Sequence, residues 1–324
     1  MITLSNINKT FRVARRQAGF GRAVKALFSR EYELVHALRD VSFTIKDGEM
    51  VGYIGPNGAG KSTTIKIMCG ILTPDSGLCE IDGRIPWRER IAHVSKIGVV
   101  FGQRSQLWWD VPVIDSFELI RDIYKTDEKT YKYNLEELTE LLDLGEILKT
   151  PARSLSLGQR MRCEIAASLL HSPKVLFLDE PTIGLDAVSK IAVRQFIKKL
   201  NSERGTTVIL TTHDMQDIEA LTERILFIGK GRILFDGSLA ELKKHSSRRK
   251  TLTIEYTGAA PEITEGMTLK EKKNGHLIIT LDPEVLPVSD AIAYLAGKTE
   301  LIDVSVSGIT AEEMVAELYK EYQL

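Results

Sequence analysis

Long apolar runs are missing from this sequence. No stretch approaches 18 uncharged apolar residues, so no helix is expected to span a bilayer. Cysteine is scarce. Cys69, Cys79 and Cys163 are odd in number and form no close pair, which argues against a disulfide framework or a cysteine metal module and points to a reducing, cytoplasmic setting. Residues 1–11 lack a basic start followed by an apolar stretch, so no secretory signal is expected. An excess of either charge is absent as well. With 43 Lys and Arg against 44 Asp and Glu, the chain offers no electrostatic footprint for nucleic acid, and no nucleic-acid partner is expected. Internal repeats and low-complexity segments are lacking too, which sets aside solenoids and long linkers.

What is present is ordinary globular material in more than one piece. At 324 residues the chain exceeds the usual single domain, and its 43% hydrophobic content is enough to bury a sizeable core. Charge divides it unevenly. Residues 251–324 hold 13 acids against 5 bases, whereas 1–250 hold 31 against 38, and the change of sign falls at a polar, basic stretch over 243–250. A domain boundary is expected there, with the stretch as a solvated hinge between a large domain over 1–245 and a small one over 251–324.

Apolar periodicity makes the larger piece α/β. Val41, Phe43 and Ile45 alternate with polar residues, Asp47 and Gly48 supply a turn, and 50–54 reads as a buried strand. A helix is expected over 61–69, with Gly70 placed to end it. Short apolar strands are expected at 97–101, 175–178 and 207–210, and a hairpin over 225–235. Between 113 and 170 the spacing turns helical, with Leu135, Leu138, Leu141 and Leu142 on one face. This mixture predicts an α/β core carrying a largely helical insertion. Beyond 250, strand-like segments at 251–256 and 276–280 precede a helix opened by the capping box of Thr310 and Glu313. That predicts a small α+β domain without a catalytic signal.

Two segments carry chemistry. Gly55, Pro56, Asn57, Gly58, Ala59, Gly60, Lys61 and Ser62 fit the pattern G-x-x-x-x-G-K-[ST], directly after a strand and before a helix. Glycines let backbone N–H groups wrap phosphate oxygens, and the helix N-terminus adds a partial positive charge. Lys61 can reach the β and γ phosphates, the Ser62 hydroxyl suits Mg2+, and Thr63 follows as a further phosphate contact. The apolar strand from 175 ends in Asp179 and Glu180, at the end where ligands of open α/β sheets gather. Asp179 suits the coordination sphere of Mg2+, and Glu180 can polarise an attacking water.

With these residues in place, the sequence resembles the ATPase subunits of ATP-binding cassette transporters over about 1–240. The distinguishing segment is Leu155, Ser156, Leu157, Gly158 and Gln159, just upstream of the acidic strand; the family pattern has Gly where this chain has Leu157. The resemblance implies a P-loop ATPase using ATP and Mg2+. It also implies a head-to-tail dimer, of identical or similar subunits, in which Ser156, Gly158 and Gln159 complete the partner's nucleotide site. Ser156 is expected to cap a helix running to about Leu170. Gln103 resembles the glutamine that senses Mg2+ and the γ-phosphate. Asp186, after Gly184 and Leu185, resembles the loop that crosses the dimer interface. His213 resembles the histidine that meets the γ-phosphate and orients the water-activating Glu180. Phe11 stands where an adenine-stacking aromatic is expected, after the first strand, with Tyr32 as competitor.

The nearest likeness is to ATPase subunits of bacterial drug and lipid exporters of the daunorubicin-resistance kind. That implies a separate transmembrane permease and a peripheral place on the cytoplasmic face of the membrane. Motor motifs do not encode direction, so an importer motor stays open, as does a soluble repair or translation ATPase of the same family. Trp108 and Trp109, shortly after Gln103, suit either a permease interface or core packing of the helical insertion. Residues 12–35 form a basic insertion, in which Phe20, Val24, Leu27 and Phe28 fall at helical spacing among cations. Contact with lipid, with the permease or with the chain's own cassette are its three readings.

Overall fold

Alternating apolar residues fix the first layer. In the computed structural model, which describes residues 1–14, 32–102, 104–212, 214–245 and 250–308, β1 (Ile2–Ala14) and β2 (Tyr32–Ile45) pair antiparallel from Ile2 opposite Ile45 to Ala14 opposite Tyr32. Val41, Phe43 and Ile45 turn inward while Ser42 and Thr44 face out. The expected order of first strand, then Phe11, then insertion is corrected here. Phe11 lies inside β1 opposite Val35, because ladder hydrogen bonds continue past it to Ala14. Both ends of the basic insertion are therefore paired strand, and its apolar stripe, Phe20 to Phe28, lies outside the described residues.

The turn at Asp47 and Gly48 leads into β3 (Met50–Ile54), then α1 (Lys61–Met68) and β4 (Ser76–Ile81), which joins β1 to complete a sheet of order β2-β1-β4. After α2 (Arg90–Val94) and β5 (Ile97–Phe101) the chain becomes helical: α3 (Val113–Tyr124), α4 (Glu128–Leu141), a single 3-10 turn (Ala152–Ser154) and α5 (Leu157–Leu169). Asp127 starts α4 by accepting a hydrogen bond from the Thr130 N–H at 3.0 Å.

The remaining elements are β6 (Val175–Asp179), α6 (Ala187–Arg204), β7 (Thr207–Thr211), α7 (Met215–Leu221), β8 (Arg224–Gly229) and β9 (Arg232–Ser238). They complete a six-stranded sheet of order β5-β6-β7-β3-β8-β9, parallel except for β9. Its strands are almost continuous in apolar residues because both faces are covered. One core joins the layers: Ile2, Val41 and Phe43 from the antiparallel sheet, Ile65 and Met68 from α1, and Val51, Phe177, Ile209 and Leu226 from the parallel sheet.

The chain divides at Ser238 and Leu239, ahead of the basic stretch at 243–250, because α8 (Leu239–His245) is grouped with the second unit. That unit holds β10 (Lys250–Thr257), β11 (Met267–Lys273), β12 (His276–Leu281), α9 (Val288–Ala296) and β13 (Glu300–Gly308). Its sheet, β11-β12-β10-β13, is wholly antiparallel, and Leu252, Ile254, Leu277 and Ile279 pack with Ala291 and Leu295 of α9 in a separate core. The helix expected from Thr310 lies outside the described residues.

Candidate nucleotide site

Four parallel strands set the site. β5, β6, β7 and β3 are neighbours, so the segments leaving their C-terminal ends share one edge of the sheet. Phe101 stands opposite Asp179, and Asp179 opposite Thr211. The glycine-rich loop leaves β3, Asp179 and Glu180 end β6, and Thr212 leads out of β7. Gln103, after β5, and His213, after β7, lie outside the described residues; their neighbours Gly102 and Thr212 leave the same sheet edge.

The loop over 55–60 hands directly into α1. Gly60 has a φ of 113°, and a Cβ there would lie 2.7 Å from the Ala37 carbonyl oxygen and from Leu38 Cδ2, so a larger residue would push the loop off β2. The buried Tyr53 hydroxyl donates to Thr64 Oγ1 at 2.9 Å, and Thr64 Oγ1 donates to the Gly60 carbonyl at 3.1 Å, which pins the start of α1 to the sheet. Asn57 and Gly58 are exposed, Pro56, Gly60 and Thr63 half-buried, Gly55 and Ala59 buried, and Ser62 exposed. No acid occupies the first turn of α1, so its N-terminal partial charge is left for an anion.

Lys61 is buried inside the loop it follows, and its Nζ donates to the carbonyls of Gly55 at 2.5 Å and Pro56 at 3.1 Å. Burial lowers the pKa of this ammonium, and the negative charges of Glu180 and Asp179 oppose that shift. The acidic strand end therefore lies within electrostatic reach of the loop lysine. Asp179 Oδ1 accepts from Thr211 Oγ1 at 2.5 Å. Glu180 has a φ of 58°, unfavourable for an L-residue by roughly 1–2 kcal/mol. Its N–H donates to the Thr211 carbonyl at 2.9 Å, which holds the backbone in that conformation.

Ser156, Gly158 and Gln159 occupy the start of α5. Ser156 Oγ accepts from the Gln159 N–H at 3.2 Å while Gln159 Oε1 accepts from the Ser156 N–H at 2.9 Å, a reciprocal capping box. Leu157 is the first helical residue and keeps an ordinary negative φ, so a leucine fits where the family pattern has glycine. Its Cδ2 lies over Gly184, where φ is 70° and a Cβ would come within 2.7 Å of it. Asp186 caps α6 by accepting from the Ser189 N–H and hydroxyl at 2.9 and 2.8 Å, and these bonds hold its carboxyl below the usual carboxylate range. Among the described residues, the side-chain hydrogen bonds of Ser156, Gln159 and Asp186 stay within these helix starts and none reaches 55–63.

Two buried carboxylates beside the site go unread in the sequence, Asp217 and Glu164. The signal for each is an acid at a core-facing helix position. Glu164, on α5, accepts from the Ser105 hydroxyl and from the Gln106 N–H at 2.9 Å. Burial pushes its carboxyl up and these two bonds oppose the shift. It thereby ties α5 to the segment just after position 103. Trp108 and Trp109 end that segment at 60% and 50% exposure, so they are not core packing, and the Arg160 guanidinium sits 5.5 Å from the Trp109 ring centre. Phe11 is half-buried, with the Lys9 ammonium 5.7 Å from its ring centre, and Tyr32 is exposed on the facing strand.

A family model described as ABC transporter matches residues 38–183. Daunorubicin resistance ATP-binding protein DrrA3 of Streptomyces coeruleorubidus is 35% identical over 281 residues, which cover 86% of each chain. The chain belongs to the ABC transporter family. Methionine import ATP-binding protein MetN 2 of Enterococcus faecalis is 34% identical, over 69% of this chain and 66% of its own length. A solved dimeric structure, the post-hydrolysis state of the ATP-binding cassette MJ0796 bound to ADP and Pi, is 28% identical with a TM-score of 0.61, over 74% of this chain and 99% of that one. This ABC chain is accordingly an ATP-binding transporter subunit and an ATP hydrolase with a mixed α/β cassette fold. Among its described residues, no helix is long and apolar enough to cross a membrane.

Proposed function

We propose that this subunit binds Mg-ATP in a dimer of cassettes and hydrolyses it to drive export of a drug-like, lipid or other small amphipathic substrate through a separate permease. The observation that carries the hydrolytic part is the meeting of Lys61 with Asp179 and Glu180 at one sheet edge. Export is favoured because the likeness to DrrA3 spans 86% of both chains, whereas that to the importer subunit MetN 2 spans 66% of the latter.

Each residue then has a task. The N–H groups of 55–60 and the start of α1 wrap the phosphates, with Ser62 and Thr63 at the helix entry and Lys61 between the β and γ groups. The oxygen-only set of Ser62, Asp179 and Gln103 suits Mg2+, which takes few protein ligands and shares phosphate oxygens; among the described residues no cluster of three His, Cys, Asp or Glu competes for it. Held by these residues, Mg2+ would supply charge neutralisation for the phosphates. Glu180 accepts the proton of the water that attacks the γ-phosphorus, as the bond to the β-phosphate oxygen breaks and ADP leaves. His213 holds Glu180 and the γ-phosphate in register.

Ser156, Gly158, Gln159 and Asp186 act across the dimer, of identical or similar subunits, and Phe11 stacks on adenine. The exposure of Trp108 and Trp109 supports permease docking, since large aromatics anchor interfaces. Docking would place the subunit on the cytoplasmic face of the membrane. Glu180→Gln tests the core of this reading. The amide keeps the shape but cannot take the proton, so turnover is expected to fall by about 10²–10⁴-fold with ATP binding intact. Closed dimer should accumulate in Mg-ATP, as measured by size. Near-normal hydrolysis would remove Glu180 from the reaction.

A further inference from the structure

Behind the acidic strand end lies a carboxylate that nucleotide binding does not explain. Asp217, on α7, is fully buried, and three elements supply its donors. The Thr182 hydroxyl donates to Oδ2, Thr212 Oγ1 donates to the same oxygen at 3.1 Å, and Arg194 Nε of α6 donates to Oδ1 at 2.6 Å. Thr182 stands two residues after Glu180, and Thr212 immediately before His213. A second acid tightens the same junction. Asp214 Oδ2 accepts from Lys190 Nζ at 2.5 Å and Arg194 Nη2 at 3.4 Å, and the Asp214 N–H donates to Thr212 Oγ1 at 2.9 Å. Burial opposes the charge on Asp214, but Lys190 and Arg194 hold its carboxyl below the usual carboxylate range.

A buried carboxylate is costly unless its lone pairs are met, and a well-packed apolar side chain in its place is often as stable or more so. Stability alone therefore gives no reason for an acid at 217. An apolar residue cannot, however, hold hydroxyls from two separate loops at one oxygen. Oδ2 does this, and Arg194 fixes the other oxygen from a third direction.

We propose that Asp217 is a positioning residue for hydrolysis, tying the turn after Glu180 to the segment that leaves β7 at Thr212, next to His213 in sequence, so that the two keep one spacing. This role rests on the assignments of Glu180 and His213 made above. Asp217 touches neither water nor phosphate; it acts through the loops.

Mg-ATP hydrolysis and equilibrium ATP binding by full-length Asp217→Asn, Thr182→Val and Thr212→Val test the proposal. The valine variants each remove one hydroxyl but keep the Asp217–Arg194 pair, so they carry the test if the asparagine variant does not fold. Each is expected to lower kcat by about ten- to a hundredfold, the scale of a small misplacement, with KM and ATP affinity within about twofold. In a Glu180→Gln background, Thr182→Val should cause no further loss of the single-turnover rate, because both act on one step. Wild-type rates in both valine variants would overturn the role of Asp217. Full additivity with Glu180→Gln, or a loss of ATP affinity matching the loss of kcat, would do the same. Near-normal turnover by Glu180→Gln strikes the underlying assignment instead. An inactive Glu180→Gln beside unimpaired valine variants strikes Asp217 alone.

Discussion

The six-stranded sheet within residues 50–238 and the four-stranded sheet within residues 250–308 make opposite use of similar material. Both bury rows of Ile, Leu and Val, yet Lys61, Asp179 and Glu180 gather at the edge of the first, and among the described residues nothing comparable does in the second. Strand direction accounts for this. Parallel strands β5, β6, β7 and β3 deliver every outgoing segment to one edge, so residues distant in sequence meet there. In β11-β12-β10-β13 neighbours run antiparallel, so β10 and β11 send their outgoing segments to one end of the sheet and β12 and β13 to the other. Ionic groups of that sheet remain on its surface, such as Lys273 with Glu271 and His276 with Glu255. A second core of good quality is thus no sign of a second active centre.

Substitutions can break or sharpen this contrast. The largest effect is expected from Lys61→Ala, which removes the cation held between the loop carbonyls and the acidic strand end. ATP affinity should fall about ten- to a hundredfold, one to two steps of 1.4 kcal/mol, in an equilibrium titration. Unchanged affinity would break the link between the parallel edge and nucleotide binding. Next comes Ile279→Ala, in the centre of the antiparallel core, where the side chain is fully buried. It should cost about 2–5 kcal/mol in the stability of that unit, seen as an earlier unfolding transition. ATP affinity should stay within about twofold, and an equal loss of binding would show that the two cores are not independent.

The smallest effect on ATP binding is expected from replacing 14–31 with a flexible linker, since none of the proposed site residues falls within it. Basal hydrolysis should persist, while recovery of the chain with membranes, or transport, should fall if this segment docks to lipid or permease. Unfolding of the cassette, or untouched transport, would end the docking idea.

The phosphate loop and the acidic strand end were legible in the sequence because each is local. Both are short contiguous patterns, and Lys61 bonds back to Gly55 and Pro56 only a few positions away. Ser156 was legible for the same reason, since its hydrogen-bond partner is Gln159. What stayed hidden depends on partners far along the chain. Phe11 falls inside a strand because Val35 stands opposite it. Glu164 and Asp217 look like ordinary helix acids until Ser105 and Gln106, or Thr182 and Arg194, are brought against them. Trp108 and Trp109 could not be assigned to surface or core from an aromatic pair alone, because α3 and α5 decide what covers them.

The place of β3 in the sheet also governs when the cassette first becomes able to hold a nucleotide. Its partners are β7 and β8, which begin only at Thr207 and Arg224. Pairings between residues so far apart in the chain close slowly. On a ribosome adding about 5–20 residues per second, the glycine-rich loop is made roughly ten seconds before the strands that flank it. Until they arrive the loop has no sheet edge to stand on, so nucleotide affinity appears only once most of the cassette has been synthesised.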